Sequence, residues 1–417
     1  MEGLFERLWR GEASMEAWTR AVAAGVVSEV GGDIAVVHTT YFCGSVTAVR
    51  TSEGLVMIDT ANEATAPAVL AALRRWDAAP IHTVIYTHGH VDHTGGIGAI
   101  DAEAAALGVP RPRIVAHRAV RRRMERYKAT RGFNSTVQGQ QFNQPGYVYP
   151  VGHRQADVEY DEALSLTVGG VRFELAHGRG ETDDATFVWL PERRVLASGD
   201  FVIWMFPNAG NPRKVQRYAA EWAGTLRRMA GLRPEVLIPG HGPVVFGAAR
   251  AGRMLGDGAA VLESLVDQAL ALMNRGAVLE DLLREVRAPA GLLARPYLRP
   301  LYDDPEFVVR GIWHLNGGWF DGDPARLKPA GAGELAAEVA ALAGGALLLA
   351  ARAEALAAEG RTRVAVGLVE MAARAAPGDA AVLAAKAAVL GVAMEGEASL
   401  MGKAFLGVFR REAQGRE

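Results

Sequence analysis

Thr87-His88-Gly89-His90-Val91-Asp92-His93-Thr94-Gly95-Gly96 packs three imidazoles and a carboxylate into the six residues from His88 to His93. An apolar run, Thr83-Val84-Ile85-Tyr86, precedes it and reads as a buried strand, and the two glycines that follow should open a helix. Side chains repeat every two residues along a strand, so His88 and His90 share one side while Asp92 and His93 turn toward a neighbouring point. One patch of backbone thereby offers ligands to two metal ions ~3.5–4 Å apart, the spacing used in two-metal hydrolysis. A plain polar turn after a strand is the competing reading. It gives no reason to concentrate imidazoles, because a solvated loop gains no stability from them.

Four other segments read as strands that end in polar groups or, in the second of them, as the turn that follows a strand. They are Leu55-Val56-Met57-Ile58-Asp59-Thr60, Gly180-Glu181-Thr182-Asp183-Asp184, Val195-Leu196-Ala197-Ser198-Gly199-Asp200 and Val236-Leu237-Ile238-Pro239-Gly240-His241-Gly242. With the first motif, they resemble the metallo-β-lactamase-fold hydrolases. The resemblance implies a first metal on His88, His90 and Glu181, a second on Asp92, His93 and His241, and Asp200 bridging the two. Asp92 and Asp200 are then the carboxylates with catalytic roles, and Asp59 supports the site without being a ligand. Glu181 stands where a histidine is usual. His177, four residues earlier, is the alternative third ligand. A carboxylate there is a harder, anionic donor that suits zinc and also manganese or iron. The cofactor expected is therefore two divalent metal ions, zinc first.

The glutamate at this position looks like the alkyl sulfatase branch of that fold. Asn208-Ala209-Gly210-Asn211-Pro212-Arg213 follows Asp200 at the place where alkyl sulfatases carry their sulfate-holding groups. The resemblance makes Asn208, Asn211 and Arg213 the substrate-binding residues, Arg213 by a two-pronged contact with sulfate oxygens. An ordinary Asn/Gly/Pro turn is the bland alternative. Gly317-Gly318-Trp319-Phe320-Asp321-Gly322-Asp323-Pro324 resembles a segment of the alkyl sulfatase dimerisation domain. No stretch here resembles the sterol-carrier-like C-terminal domain that alkyl sulfatases commonly add to hold the alkyl chain.

Composition bounds the rest. Of 417 residues, half are apolar and the net charge is −2, which suits a soluble globular protein of two or three domains. There is no basic excess for nucleic acid. The longest apolar run, Val339 to Ala351, is thirteen residues, short of the ~18 that span a bilayer. Met1 to Arg10 contains acids and no long apolar core, so a cytoplasmic protein is expected. Cys43 is the single cysteine and reads as a packed core residue.

The pattern of elements predicts an α+β chain. With the resemblance, residues 1–250 are expected to form an αβ/βα metallo-β-lactamase sandwich that carries the active site, and residues 251–417 an all-α, tetratricopeptide-like dimerisation domain. Strands are expected at Ile34–His38, Val46–Arg50, Leu55–Ile58 and Ile114–His117, and a hairpin turns at Gly169-Gly170. Helices are expected at Thr65–Trp76, with Thr65 as cap, at Ala119–Thr130 and at Lys214–Met229. The polar, aromatic stretch 132–151 reads as an irregular loop and a wall of the substrate pocket. Too few helical repeats follow residue 333 to stand alone, which implies a homodimer. The function expected is binuclear metal-dependent hydrolysis of alkyl sulfate esters through a metal-activated water. Thioester, lactone or phosphoester hydrolysis on the same metals is the alternative. A flavodiiron-type redox protein is disfavoured by His90 at that family's Glu position and by the lack of a flavodoxin-like region. A helical scaffold with structural metals is disfavoured by the full ligand set.

Overall fold

The computed structural model describes residues 2–22, 25–39 and 44–415. The reading of Cys43 as a core residue lies outside these. Among the described residues the strands form two mixed sheets. The first takes β1 (Val26–Val30), β2 (Ile34–His38), β3 (Val46–Thr51), β4 (Gly54–Ile58), β5 (Ile81–Ile85), β6 (Arg113–His117) and β7 (Val158–Tyr160), side by side in chain order. It is antiparallel from β1 to β4 and parallel from β4 to β7. The second takes β8 (Ala163–Val168), β9 (Val171–His177), β10 (Thr186–Leu190), β11 (Val195–Gly199), β12 (Val236–Pro239) and β13 (Val245–Phe246), also in chain order across the sheet.

The two-residue period of each strand builds the layers. In β4, Val56 and Ile58 join the core between the sheets, with Val115, Phe173, Leu175, Val188 and Ile238. Leu55 and Met57, on the opposite face, pack under the helices Ala66–Trp76 and Ile97–Leu107, with Leu73 and Ile100. The outer face of the second sheet gives Leu196 and Leu237 to a third core, covered by helices Ala219–Gly231 and Ala248–Met273 through Trp222, Leu226 and Leu262. Helix, sheet, sheet and helix therefore stack in the expected αβ/βα order.

That third core crosses the chain's midpoint. It also holds Phe5, Leu8 and Trp18 from two N-terminal helices and Val308, Val309 and Ile312 from the helix Pro305–Gly317. A separate core of Ala340, Leu349, Leu356, Val369, Val382 and neighbours joins the later helices. There Asp379 caps the helix Ala380–Gly396, accepting from the amides of Ala381 and Val382. No single helix among the described residues is long and apolar enough to cross a membrane. One bent pair, Ala332–Leu342 with Ala346–Ala358, passes on length and composition alone and turns by 86°.

Three local expectations need correcting. Thr65 precedes its helix, but its hydroxyl bonds to Asn62 Oδ1 at 3.0 Å and does not cap. The helix expected from Lys214 starts at Ala219, because Arg217 is drawn aside onto Glu181 and the Tyr218 amide onto Gly180 O. The stretch 132–151 contains a helix, Arg131–Gln141. Its Gly, Asn, Ser and Thr are poor helix formers. Burial of Asn134, Val137 and Gln141, against a C-terminal helix at Leu400–Ala413, overrides that propensity.

Candidate active site

Strand ends converge at one edge of the sandwich. Asp59 follows β4, and His88 and His90 follow β5. Asp92 and His93 sit on the single turn Val91–Thr94. Glu181 lies in the loop after β9, Asp200 follows β11 and His241 follows β12. Backbones must come close for this. A Cβ on Gly240 would lie 2.1 Å from Asp200 Oδ1, so only glycine lets the His241 turn pass the carboxylate.

The structure brings all seven residues assigned to metal together. His88, His93 and Asp200 form one group, Asp92, His93 and His241 a second, and His90, Glu181 and Asp200 a third, with the ligand atoms of each group within 4.8 Å of one another. Asp200 Oδ1 lies 3.3 Å from His93 Nε2 and 3.4 Å from His241 Nε2, and its Oδ2 lies 3.6 Å from His88 Nε2. Asp92 Oδ2 is 3.5 Å from both His93 Nε2 and His241 Nε2. His88 Nε2 and His90 Nδ1 face each other at 2.8 Å. His177 is elsewhere: its ring stacks on His117 at 3.8 Å and 3°, and its Nδ1 is 2.9 Å from Ala185 O.

Divalent metals fit this arrangement. His93 Nε2 and Asp200 Oδ1 are buried without a hydrogen-bond partner, although both point into the cluster. Such orphaned polar atoms are costly unless something else coordinates them. Imidazoles and carboxylates are also the donor set that divalent transition metals take. Charge is distributed to match. Burial, then the neighbouring imidazoles, hold His88 and His90 well below the ordinary histidine range. Burial also lowers His93, but Asp200, Asp59 and Asp92 outweigh it and hold the ring well above that range.

Neighbouring groups orient these side chains. Asp59 Oδ2 is 2.7 Å from His93 Nδ1 and accepts from the Thr87 hydroxyl at 2.7 Å, while its Oδ1 accepts from the Thr87 amide at 2.7 Å. His93 is thus held with Nε2 toward the cluster. Asp184, fully buried, pairs with Arg123 and accepts from the Gly89 amide at 2.9 Å, pinning the backbone between His88 and His90. Arg217, at 2.5 Å, and Asn208 Nδ2, at 2.7 Å, both donate to Glu181 Oε1. Replacing Asp59 by asparagine is expected to leave the fold intact and weaken metal retention ~10–100-fold, as losses of such orienting partners do. Competition with a chelator measures it. Retention equal to that of the unaltered protein would show that Asp59 does not orient His93.

Beside the cluster lies a cavity of about 430 Å³, lined by His90, Asp92, Glu181, Asp200 and His241. Gln138, Gln141, Phe142, Gln144, Tyr147 and Tyr149 form part of its wall, as expected for the stretch 132–151. Asn208 and Asn211 line it too, but Arg213 does not. Arg213 lies in an adjoining groove with Arg126 and Phe133, its guanidinium donating to Gln140 Oε1 at 2.6 Å. Two cations stand in the cavity wall, Arg217, which is paired with Glu181, and Lys214, which also borders the adjoining groove. Burial, then Arg217, push its ammonium down to about 8. Tyr302 also lines the cavity, so the site is not confined to the N-terminal half.

Residues 42–241 match the Metallo-beta-lactamase superfamily, and residues 278–414 match the alkyl sulfatase dimerisation family. The chain is similar to the linear primary-alkylsulfatase of Pseudomonas sp. (strain ATCC 19151), with 27% identity over 324 residues covering 71% of this chain and 60% of that one. It is also similar to the (R)-specific secondary-alkylsulfatase of Pseudomonas sp, with 30% identity over 324 residues covering 68% of this chain and 47% of that one. It thus spans about half to three-fifths of the length of these relatives. In fold it is similar to the stereoselective inverting sec-alkylsulfatase Pisa1 from Pseudomonas sp., with a TM-score of 0.83 and 23% identity over 97% of this chain and 68% of that one.

Proposed function

Because this chain joins a metallo-beta-lactamase domain to an alkyl sulfatase dimerisation domain and is homologous to alkylsulfatases, we propose that it is a binuclear metal-dependent hydrolase of alkyl sulfate esters. The observation that carries this reading is the cluster of seven ligand residues, five of which, His90, Asp92, Glu181, Asp200 and His241, line a cavity that also presents Asn211 and Lys214. We assign the metals to the two sets His88, His90, Glu181 and Asp92, His93, His241, with Asp200 shared. Zinc is the first choice, on imidazole and carboxylate donors. Bound metals would supply Lewis acidity and a water of lowered pKa.

The chain's own groups do the rest. Asp59 and Asp184 hold the histidine motif in place. Arg217 and Asn208 hold Glu181 through its Oε1. Lys214 offers a cation, and Asn211 an amide, to the sulfate end of the ester. In carbon–oxygen cleavage the water oxygen joins carbon, sulfate departs with the electrons of the broken bond, and one proton is released. A sulfate dianion needs no strong general acid to leave.

Screening metal-reconstituted protein on alkyl sulfates, phosphoesters, thioesters and lactones tests the reading. The highest kcat/KM is expected for an alkyl sulfate. A phosphoester, thioester or lactone turned over ahead of every sulfate would overturn it in favour of the other hydrolase reading.

We keep residues 1–250 as the catalytic part and 251–417 as the helical part, and propose that the latter forms a homodimer. Exposed apolar side chains support this: Leu342 is 90% exposed and Trp319 66%, with Leu335, Leu347 and Leu348 also exposed. Patches of that kind mark protein contacts. Light scattering at micromolar concentration is expected to give about twice the chain mass of 44.4 kDa. A single-chain mass throughout would remove the dimer.

A further inference from the structure

Among the described residues that line the cavity, Tyr302 is the one from the helical half, and it sits in the segment 301–304 just before the helix Pro305–Gly317. Asp303 is fully buried. Its Oδ2 accepts from the Gly210 amide at 2.6 Å, and its Oδ1 from the Asp304 amide at 3.0 Å. Gly210 sits between Asn208 and Asn211, which line the cavity. It is pressed so closely on the start of the helix that a Cβ there would lie 2.2 Å from Phe307 backbone. On the other side of the segment, the Tyr302 hydroxyl accepts from Gln141 Nε2 at 2.8 Å, at the end of the helix Arg131–Gln141 that walls the cavity. The carbonyls of Leu301 and Tyr302 accept from the amides of Leu400 and Met401, and Met401 Sδ in turn accepts from Asn211 Nδ2 at 3.1 Å.

We propose that residues 301–304 are a positioning clip: Asp303 holds the loop that carries Asn208 and Asn211, and Tyr302 holds the end of the helix Arg131–Gln141, which lines the same cavity. Asp303 acts through Gly210 and does not touch substrate. The physical case is that a buried carboxylate is costly unless its acceptors are used. Both oxygens are used, and both on backbone amides. Burial still pushes the carboxyl up to about 7. A loop fixed this way presents its side chains with little freedom to lose on binding. The clip rests on the reading of the cavity as the substrate site, and it gives the helical half a second task beside pairing.

The test compares Asp303→Ala, Asp303→Asn and Gly210→Ala in the full-length, metal-loaded protein. Asparagine keeps an acceptor for the Gly210 amide, alanine loses it, and the methyl of Gly210→Ala pushes the loop off the helix. Asp303→Ala and Gly210→Ala are expected to speed amide exchange in peptides covering 206–213 by ~10-fold, the value of one buried hydrogen bond, with 332–413 unchanged. They should raise KM for an alkyl sulfate by ~10-fold while metal content stays at the level of the unaltered protein. Asp303→Asn should restore most of both. If Asp303→Ala is too unstable to purify, Gly210→Ala and Asp303→Asn decide alone. Unchanged exchange at 206–213 in the alanine variants overturns the clip. So does exchange that rises equally over the whole helical half, because that is general destabilisation. If the unaltered protein hydrolyses no sulfate ester, the functional reading fails, and the exchange result still decides the clip.

Discussion

Replacing Asp200 by asparagine or alanine is expected to lower kcat by ~10³-fold, because a metal bridge is worth several kcal/mol of transition-state stabilisation and each 1.36 kcal/mol is tenfold. The argument is geometric. Asp200 reaches three imidazoles, His88, His93 and His241, at 3.3 to 3.6 Å, and no other carboxylate belongs to two of the three ligand groups. Without its charge, Asp92 and Glu181 are the carboxylates left in the three ligand groups to balance the ions. Elemental analysis of protein purified without chelator is expected to give two transition-metal ions per chain, and one or fewer for the variants. Asparagine is the sharper substitution because it keeps the shape and hydrogen-bonding capacity beside Gly240. An Asp200→Asn protein with two tightly held metals and undiminished turnover would remove the binuclear assignment.

Much of the fold was legible because it rests on local periodicity. The run Ile34–His38 alternates between two cores and is a strand over those same residues. The hairpin around Gly169-Gly170 and the ligand motifs at the ends of β5, β11 and β12 are also where turn chemistry and strand patterning put them. What was not legible depends on partners distant in sequence. The helix Arg131–Gln141 has weak intrinsic propensity and forms against residues 400–413. Tyr302 and Asp303 carry no motif, and only folding brings them to Gln141 and Gly210. The sequence reading names Arg213 as the sulfate-holding cation, whereas Lys214 is the neighbour that lines the cavity. The chain from Asn211 to Tyr218 is irregular, so neither a two- nor a 3.6-residue period applies.

That ambiguity sets the second large effect. Lys214→Ala is expected to cut kcat/KM for sulfate esters by ~30–1000-fold, the ~2–4 kcal/mol of a charge-assisted contact that strengthens as charge builds on the departing sulfate. Arg213→Ala is expected to change it by no more than about threefold, as surface substitutions within ~0.5 kcal/mol do. Among the described residues the Lys214 ammonium has no ion pair or hydrogen bond of its own, and it lines the cavity beside Asn211 and Glu181. The Arg213 guanidinium is engaged by Gln140 and lies over the rings of Phe133 and Phe405, 5.9 and 5.7 Å from their centres. A cation already satisfied outside the cavity gains little from a sulfate inside it, whereas a half-buried ammonium held among other cations gains a counter-charge. Metal content should be unchanged in both variants, which separates loss of sulfate binding from loss of the metal site. The reverse ranking, with Arg213→Ala the more damaging, would mean that the ester enters from the groove lined by Arg126 and Phe133 and that Arg213 holds its sulfate after all.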